Sequence, residues 1–293
     1  MTGESGHIRV GLSGWNYPGW RGVFYPKGLH HADELAYAAS IFDTIELNGT
    51  FYSLKRPEHF AAWRDATPGG FVFAIKGSRF ITHMKKLRDV EVPLANFFAS
   101  GVLALDDRLG PFLWQLPPQL AFDEARLDAF LALLPRDSAA AVALARRHDR
   151  RMEGRALTET ARNQKLRHAI ELRHRSFLDP AFVRLLRRHG VTLVFSDGAG
   201  LPYAEDVTAD FVYIRLHGAE MLYASGYDAA ALDRWAARIK AWAAGGQPDD
   251  AALIDRTTVP PREPRDVYVY FDNDAWGRAP FDAQALSQLL APP

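Results

Sequence analysis

The stretch Ala169-Ile-Glu-Leu-Arg-His174 decides the fold of this chain. Because side chains alternate along a β-strand, Glu171 and Arg173 are predicted to share one face, while Ile170 and Leu172 form an apolar opposite face. A strand face that ends in a carboxylate and a guanidinium is unusual in a plain core. It is typical of a barrel strand, whose apolar face packs on helices and whose polar end points into the barrel interior.

Seven further stretches have strand character and alternate with helical segments. Repeated β–α units imply parallel strands, and eight of them in one chain predict a (β/α)8 TIM barrel that spans residues 1–293 as a single domain. The alternative is a doubly wound open sheet, but Gly11-Leu-Ser-Gly-Trp-Asn16 does not fit the glycine-rich turn expected after its first strand. The other predicted strands are residues 8–13, 44–48, 71–76, 109–116, 191–196, 211–218 and 267–272.

Composition narrows the class of protein. Lys and Arg total 35, and so do Asp and Glu, which excludes a global attraction to nucleic acids or acidic membranes. There is no cysteine, which excludes disulfides and thiolate metal sites. No apolar run is long enough to span a membrane, and residues 1–9 lack the apolar centre of a signal peptide. We expect a soluble, cytoplasmic protein with no membrane partner, while its oligomeric state stays open.

Nearly every predicted strand ends in a polar residue on its inward face. A charge buried alone costs several kcal/mol, so these groups must pair with one another, meet water or meet a ligand. Pairing alone would give an inert internal network, whereas active sites of barrels are assembled at this same face. Either Ser196 or Asp197 closes the sixth strand. The inward set is Ser13, Glu46, Asn48, Lys76, Gln115, Glu171, Arg173, Arg215, His217 and Asp272.

The mixture of charges favours metal-independent acid/base chemistry on a small anionic ligand. Glu46, Glu171, His217 and Asp272 are the candidate catalytic groups, because carboxylates and imidazole transfer protons. The same four side chains are ligand types of a divalent-metal site, which would make the protein a metal-dependent hydrolase or isomerase. A metal cage needs an excess of carboxylate, however, and the cations at this level balance it. The predicted anion holders are Lys76, Arg173 and Arg215.

Aromatic residues are dense in the loops that follow the strands, which favours a ring-bearing ligand such as a sugar. Trp15 and Tyr52 are candidate ligand contacts, His83 follows the strand of Lys76, and Trp63 has the helical spacing of a core residue. The aromatic residues of the predicted mouth are Trp15, Tyr17, Trp20, Phe51, Tyr52, Phe177, Tyr223, Tyr227 and Trp276.

A basic segment, residues 146–175, supports an alternative function. Clustered Lys and Arg can bind phosphate backbones, so the chain could be a nucleic-acid or nucleotide-binding protein. Such a run is more commonly a solvated face. No phosphate-loop, zinc-protease or nucleophile-elbow motif is present.

A series of short motifs along the chain resembles the YecE-like family, domain of unknown function 72. The resemblance implies a TIM barrel and adds His83 and Asn273 to the candidate ligand-binding residues, but it implies no particular reaction or cofactor. With them, the candidate ligand contacts are Trp15, Asn48, Tyr52, Lys76, His83, Gln115, Arg173, Arg215 and Asn273. The motifs are Gly14-Trp15 with Phe24-Tyr25-Pro26, Glu46-Leu-Asn48 with Thr50-Phe-Tyr52, Ile81-Thr82-His83, Gln115-Leu-Pro-Pro118, Arg173-His174, Tyr213 with Arg215-Leu-His-Gly218, and Asn273-Asp274.

Overall fold

The computed structural model describes residues 5–218, 221–222, 225–258, 260–274 and 277–291. Eight parallel strands close into a barrel in chain order, and β8 pairs with β1, which confirms the predicted (β/α)8 fold. The strands are β1 Ile8–Leu12, β2 Thr44–Leu47, β3 Val72–Lys76, β4 Leu109–Gln115, β5 His168–Glu171, β6 Thr192–Asp197, β7 Phe211–Leu216 and β8 Asp266–Phe271.

The fifth strand is shorter than its sequence pattern predicts. It ends at Glu171, because the chain then turns into a 3-10 turn, Arg175–Phe177, which His174 caps by accepting a hydrogen bond from the Ser176 amide. Arg173 therefore lies beyond the strand. Its side chain still returns to the barrel mouth, where Nη2 donates to Glu171 Oε1 at 2.6 Å.

Helices cover the outside of the barrel. The segment between β6 and β7 contains none, as its length and its Gly and Pro residues predict; instead the Asp206 carboxylate accepts hydrogen bonds from the amides of Ile254 and Asp255. The α-helices are α1 Glu34–Ala39, α2 Gly49–Tyr52, α3 Pro57–Asp65, α4 Glu91–Ala99, α5 Glu124–Leu133, α6 Ser138–Ala145, α7 Pro180–His189, α8 Ala229–Ala243 and α9 Ala279–Leu290.

Apolar side chains form one layer between the strands and the helices and a second inside the barrel. In the outer layer Trp114 is fully buried, and its indole N–H donates to His168. Inside, a cluster of small and aromatic residues fills the lumen below the polar mouth, so the barrel is closed from below. This floor consists of Ala74, Leu113, Ala169, Val194, Phe211, Tyr213, Tyr268 and Tyr270. None of the described helices is long and apolar enough to cross a membrane.

Candidate functional site

Arg215 organises the polar mouth of the barrel. Its side chain is fully buried and crosses the lumen from β7 to β2, where Nη2 and Nε contact the two oxygens of Glu46 at 2.9 and 3.1 Å. Nη1 donates to both oxygens of Glu171 on β5, at 3.0 and 3.2 Å, and Nη2 donates to Asp272 at 3.0 Å. Every nitrogen of the guanidinium is therefore engaged by a carboxylate. In the structure Arg215 is a counter-ion beneath the mouth, and its role as an anion holder stays a prediction.

Glu46 is held by neutral groups as well as by Arg215. The hydroxyl of Tyr213 donates to Oε2 at 2.6 Å, and the hydroxyl of Ser13 donates to Oε1 at 2.6 Å. Ser13 in turn accepts from Arg215 Nη2 at 3.0 Å and from Asn48 Nδ2 at 2.9 Å. The carboxylate is fully buried and satisfied on both oxygens, so it is poorly placed to exchange protons with a ligand above it.

His217 lies between two carboxylates. Its Nε2 is 3.0 Å from Glu171 Oε1, and its Nδ1 is 3.0 Å from Asp272 Oδ2. Glu171 also accepts hydrogen bonds from the Gln115 amide and the Ser196 hydroxyl. Ser196, and not Asp197, is therefore the residue of β6 that joins this network. Apart from Lys76, the inward set predicted from strand parity thus meets in one hydrogen-bonded network.

The cations of this network lower the pKa values of Glu171 and Asp272. Burial alone would raise the pKa of Glu171, but Arg173 and Arg215, followed by His217, outweigh it and hold that pKa well below its usual range. Burial is likewise outweighed at Asp272, where Arg215 and the hydrogen bond from His217 lower the pKa. Both side chains are therefore carboxylates at neutral pH. Asp272 is 19% exposed whereas Glu171 is fully buried, so Asp272 is the more accessible of the two carboxylates.

A cavity of about 600 Å³ opens above one side of this network. Polar groups predicted from the sequence line it, namely Asn48 after β2, Lys76 at the end of β3, Gln115 at the end of β4 and Asp272 after β8. Its aromatic walls are Trp15, Tyr17, Phe51, Tyr52 and Trp63. The cavity therefore combines a polar base with ring surfaces, which is the composition of a small-molecule site.

Trp63 and Lys55 are among the lining residues that were not predicted. Trp63 was expected in the core, but this half-buried side chain reaches the cavity and packs edge-on against Trp15, with ring centroids 5.6 Å apart. Lys55 lies in the loop after α2, and its Nζ donates to Ser53 at 3.0 Å. A lone lysine in a polar loop carries no sequence signal, and only the fold brings it to this cavity.

His83 lies just behind the cavity wall. Its ring meets the Phe51 ring edge-on at 5.1 Å, and burial followed by the charges of Lys76 and Arg173 lowers its pKa. It belongs to a π-helical turn, Phe80–Met84, which is followed by left-handed residues at Lys86, Leu87 and Asp89. Such backbone is costly and is found preferentially near functional sites.

Some sequence candidates lie elsewhere. Asn273 is fully buried, and its amide donates to Asp282 Oδ2 on α9 at 2.7 Å and to the Ser225 carbonyl, so it joins the end of β8 to a helix and does not face the cavity. Trp20, Phe177 and Tyr227 are buried in packing. Tyr223 and Trp276 lie outside the described residues.

The basic segment 146–175 does not form one patch. Arg147 pairs with Glu91 and Arg162 with Asp106 on the outside of the barrel. Arg167 pairs with Asp266 before β5 begins, whereas Arg173 lies after β5 ends. The charges are thus spread over opposite ends of the barrel, and these arginines have acidic partners.

The carboxylates of the mouth turn toward cations and hydroxyls. Glu46 and Glu171 each use both oxygens on Arg215 and its neighbours. Within the described part of the chain, no group of three or more His, Asp or Glu side chains is arranged to hold a metal ion. The donor set therefore fits an ion-pair network better than it fits a metal cage.

Replacing Asp274 with asparagine is expected to stabilise the fold by roughly 1 kcal/mol at about pH 7. Burial raises the pKa of Asp274 to about 6, against the hydrogen bond from the Trp20 indole. The folded state therefore binds this proton more tightly than the unfolded state, and stability is lost as the pH rises from about 4 to about 6. Partial exposure reduces the effect. Urea unfolding should show this gain in stability at neutral pH and no gain near pH 4. The exposed Asp233→Asn variant should match the stability of the wild type at both pH values.

Known proteins share this architecture. A family model described as "Protein of unknown function DUF72" matches residues 9–293. The UPF0759 protein YecE from Escherichia coli K12 is 32% identical over 110 residues, which span 38% of this chain and 38% of that relative. The crystal structure of a DUF72 family protein from Thermotoga maritima has a TM-score of 0.72 at 23% identity, over 97% of this chain and 99% of that one.

A second crystal structure, a DUF72 family protein from Enterococcus faecalis, has a TM-score of 0.67 at 17% identity, over 97% of this chain and 95% of that one. At these identities the two structures show the fold and nothing of the chemistry. The family model covers nearly the whole chain and confirms the resemblance seen in the motifs. This chain therefore belongs to the YecE-like DUF72 family of TIM-barrel proteins.

Proposed function

We propose that the cavity binds a small ligand that carries a phosphate or carboxylate group, and that its polar base performs metal-independent acid/base chemistry on that ligand. The observation that carries this proposal is the pair of lysines that line the cavity, Lys76 at its base and Lys55 toward the loops. Neither ammonium has an ion-pair partner among the described residues, whereas the arginines of the mouth contact carboxylates. An anionic ligand would supply the missing charge.

The walls of the cavity support a ligand that also contains a ring. Trp15, Trp63 and Tyr52 offer ring faces and edges, on which a sugar or another flat ring can pack. Asp272 is the carboxylate that lines the cavity, and His217 behind it connects it to Glu171. Asp272 is accordingly the proposed base, with His217 as its positioning residue.

A retaining-glycosidase arrangement is less well supported. Such an enzyme needs two carboxyl groups that flank the bond to be cleaved. Here the guanidinium of Arg215 lies between Glu46 and Glu171, and both carboxylates are fully buried. A sugar ring could enter that space only by displacing the arginine.

The proposal is tested by identifying what the protein carries through purification. Small molecules released on denaturation are analysed by mass spectrometry and compared between the wild type and Lys55→Gln. We expect an anionic compound that is depleted in the variant. Lys165→Gln, which removes a lysine at the other end of the barrel, is the matched control. Equal recovery from all three proteins would contradict the proposal.

A defined ring-bearing anion should show opposite effects of two substitutions. We expect Lys55→Gln to weaken the binding of phenyl phosphate by about tenfold, the equivalent of about 1.4 kcal/mol. Asp272→Asn should tighten the binding, because it removes a negative charge from the cavity lining. Isothermal titration calorimetry at low and high salt measures both, and the wild-type affinity should fall as salt rises. Changes of the same sign in the two variants would count against an electrostatic site.

A further inference from the structure

Lys76 differs from the other buried cations of the mouth. It is only 8% exposed, and it lines the cavity. No hydrogen bond or ion pair joins its Nζ to any residue in the described part of the chain. Arg215, at the same level of the barrel, is surrounded by carboxylates. A buried cation normally has such a partner, so a lysine without one points to a use other than stability.

The chain holds this lysine in a defined place. Its Nζ lies over the Phe51 ring, 4.7 Å from the centroid, and the Thr50 hydroxyl donates to its backbone carbonyl at 2.7 Å. The next residue must be glycine, because a Cβ at Gly77 would lie 2.2 Å from the Trp114 ring. The backbone around Lys76 is therefore fixed from both sides, and a fixed nucleophile lowers the entropic cost of reaction.

The surroundings also favour the uncharged amine. Burial, followed by the positive charge of Arg215, lowers the pKa of Lys76, against the opposing charges of Glu46, Asp272 and Glu171. Desolvation beside another cation is the usual way in which proteins activate a lysine as a nucleophile. His83, behind the Phe51 ring, feels the charge of Lys76 as well.

We propose that Lys76 forms an imine with the carbonyl group of a small aldehyde or ketone that also carries a phosphate or carboxylate. This inference rests on the proposed function and specifies the substrate class of the same cavity. The Nζ lone pair attacks the carbonyl carbon, and the C–O π electrons move to oxygen. The nitrogen passes one proton to that oxygen, which becomes a hydroxyl. Its second proton then converts the hydroxyl into water, which leaves as the nitrogen lone pair forms the C=N bond. Asp272, on the same cavity, carries these protons from nitrogen to oxygen, and no oxidant or cofactor is required.

The two lysines that line the cavity have different roles in this proposal. Lys76 at the base reacts with the carbonyl group, while Lys55 nearer the loops holds the anionic group. Once it takes up a proton, the imine is a better electron sink than the carbonyl it replaces. It would then promote the cleavage or formation of a carbon–carbon bond beside it, or proton transfer at the adjacent carbon.

Reductive trapping with a matched set of probes tests the inference. Pyridoxal 5′-phosphate has a ring, a phosphate and an aldehyde; pyridoxal lacks the phosphate, and pyridoxine 5′-phosphate lacks the aldehyde. The folded protein is treated with each aldehyde and sodium borohydride, and chymotryptic peptides are analysed by mass spectrometry. We expect Lys76 to gain the mass of the probe less one oxygen atom, at least about tenfold faster than the exposed Lys27. Lys76→Arg, which keeps the charge, should lose this adduct and retain the fold by circular dichroism.

The probes separate the two proposals. Pyridoxine 5′-phosphate should protect Lys76, and Lys55→Gln should reduce the labelling by pyridoxal 5′-phosphate to the rate seen with pyridoxal. If Lys76 and Lys27 are labelled equally while pyridoxine 5′-phosphate still binds, the imine is overturned and the anion site stands. If pyridoxal and its phosphate both label Lys76 faster than Lys27, and by the same ratio, the imine stands and the anion site is overturned. If pyridoxine 5′-phosphate does not bind and Lys76 is labelled no faster than Lys27, both are overturned.

Discussion

Replacing Arg215 with methionine is expected to lower the free energy of unfolding by about 3–5 kcal/mol, because it removes the counter-ion of buried carboxylates. Arg215, Glu46 and Glu171 are all fully buried, and the arginine contacts both acids within 3.0 Å. Methionine keeps an unbranched chain but lacks the charge and the donors. Glu46 would retain Tyr213 and Ser13 as donors, which cannot neutralise it.

Urea unfolding followed by circular dichroism measures this loss, with Arg188→Met as the matched control. Arg188 is 54% exposed and pairs with Glu124 at 3.0 Å, so its replacement should cost no more than about 1 kcal/mol. Adding Glu46→Gln to Arg215→Met should restore part of the stability, because one stranded charge disappears. A loss as small as that of the control, or no recovery in the double variant, would show that the network does not depend on charge pairing.

The strand pattern was sufficient to predict both the barrel and the level at which its polar groups meet. Alternation alone places Glu171 and Arg215 inside, and the structure brings these two together across the lumen. Alternation cannot say which inward group pairs with which, because β5 and β7 are not neighbours and the length of the arginine decides its reach. Arg215 was therefore predicted to hold a ligand, although the structure places it below the cavity.

The sequence also distinguishes Lys76 from Arg215 poorly, since both end inward-facing strands. The two residues differ because of the loops above them. These loops leave a cavity over Lys76, whereas Arg215 lines none of the cavities described. For Asn273, in contrast, strand alternation predicts the orientation of the side chain correctly. This residue lies one residue beyond Asp272, so alternation predicts that its side chain faces the helices, where it indeed meets Asp282. The family resemblance had placed it among the ligand contacts.

The acids of the mouth are expected to make the fold sensitive to low pH. The pKa values of Glu171 and Asp272 are held below their usual range by Arg173, Arg215 and His217, although burial opposes this. A lowered folded-state pKa means that the unfolded state binds protons more tightly. The resulting stability is fully present above the ordinary carboxyl pKa of about 4 and is lost as the pH falls below it. Each tenfold difference in proton affinity between the two states corresponds to about 1.4 kcal/mol.

Glu171→Gln isolates this contribution, because glutamine has the shape of the protonated acid. At about pH 7 the variant should be less stable than the wild type by about 3–5 kcal/mol, since Arg215 and Arg173 lose a buried counter-ion. At about pH 3 the Glu171 side chain is largely protonated in the unfolded wild type but still charged in the folded one. The wild type loses stability for this reason, and the stability difference between it and the variant should shrink to about half or less. The exposed Glu159→Gln should show little difference at either pH. A penalty for Glu171→Gln that stays constant across this range would mean that hydrogen-bond geometry, rather than the charge of the carboxylate, holds the mouth together.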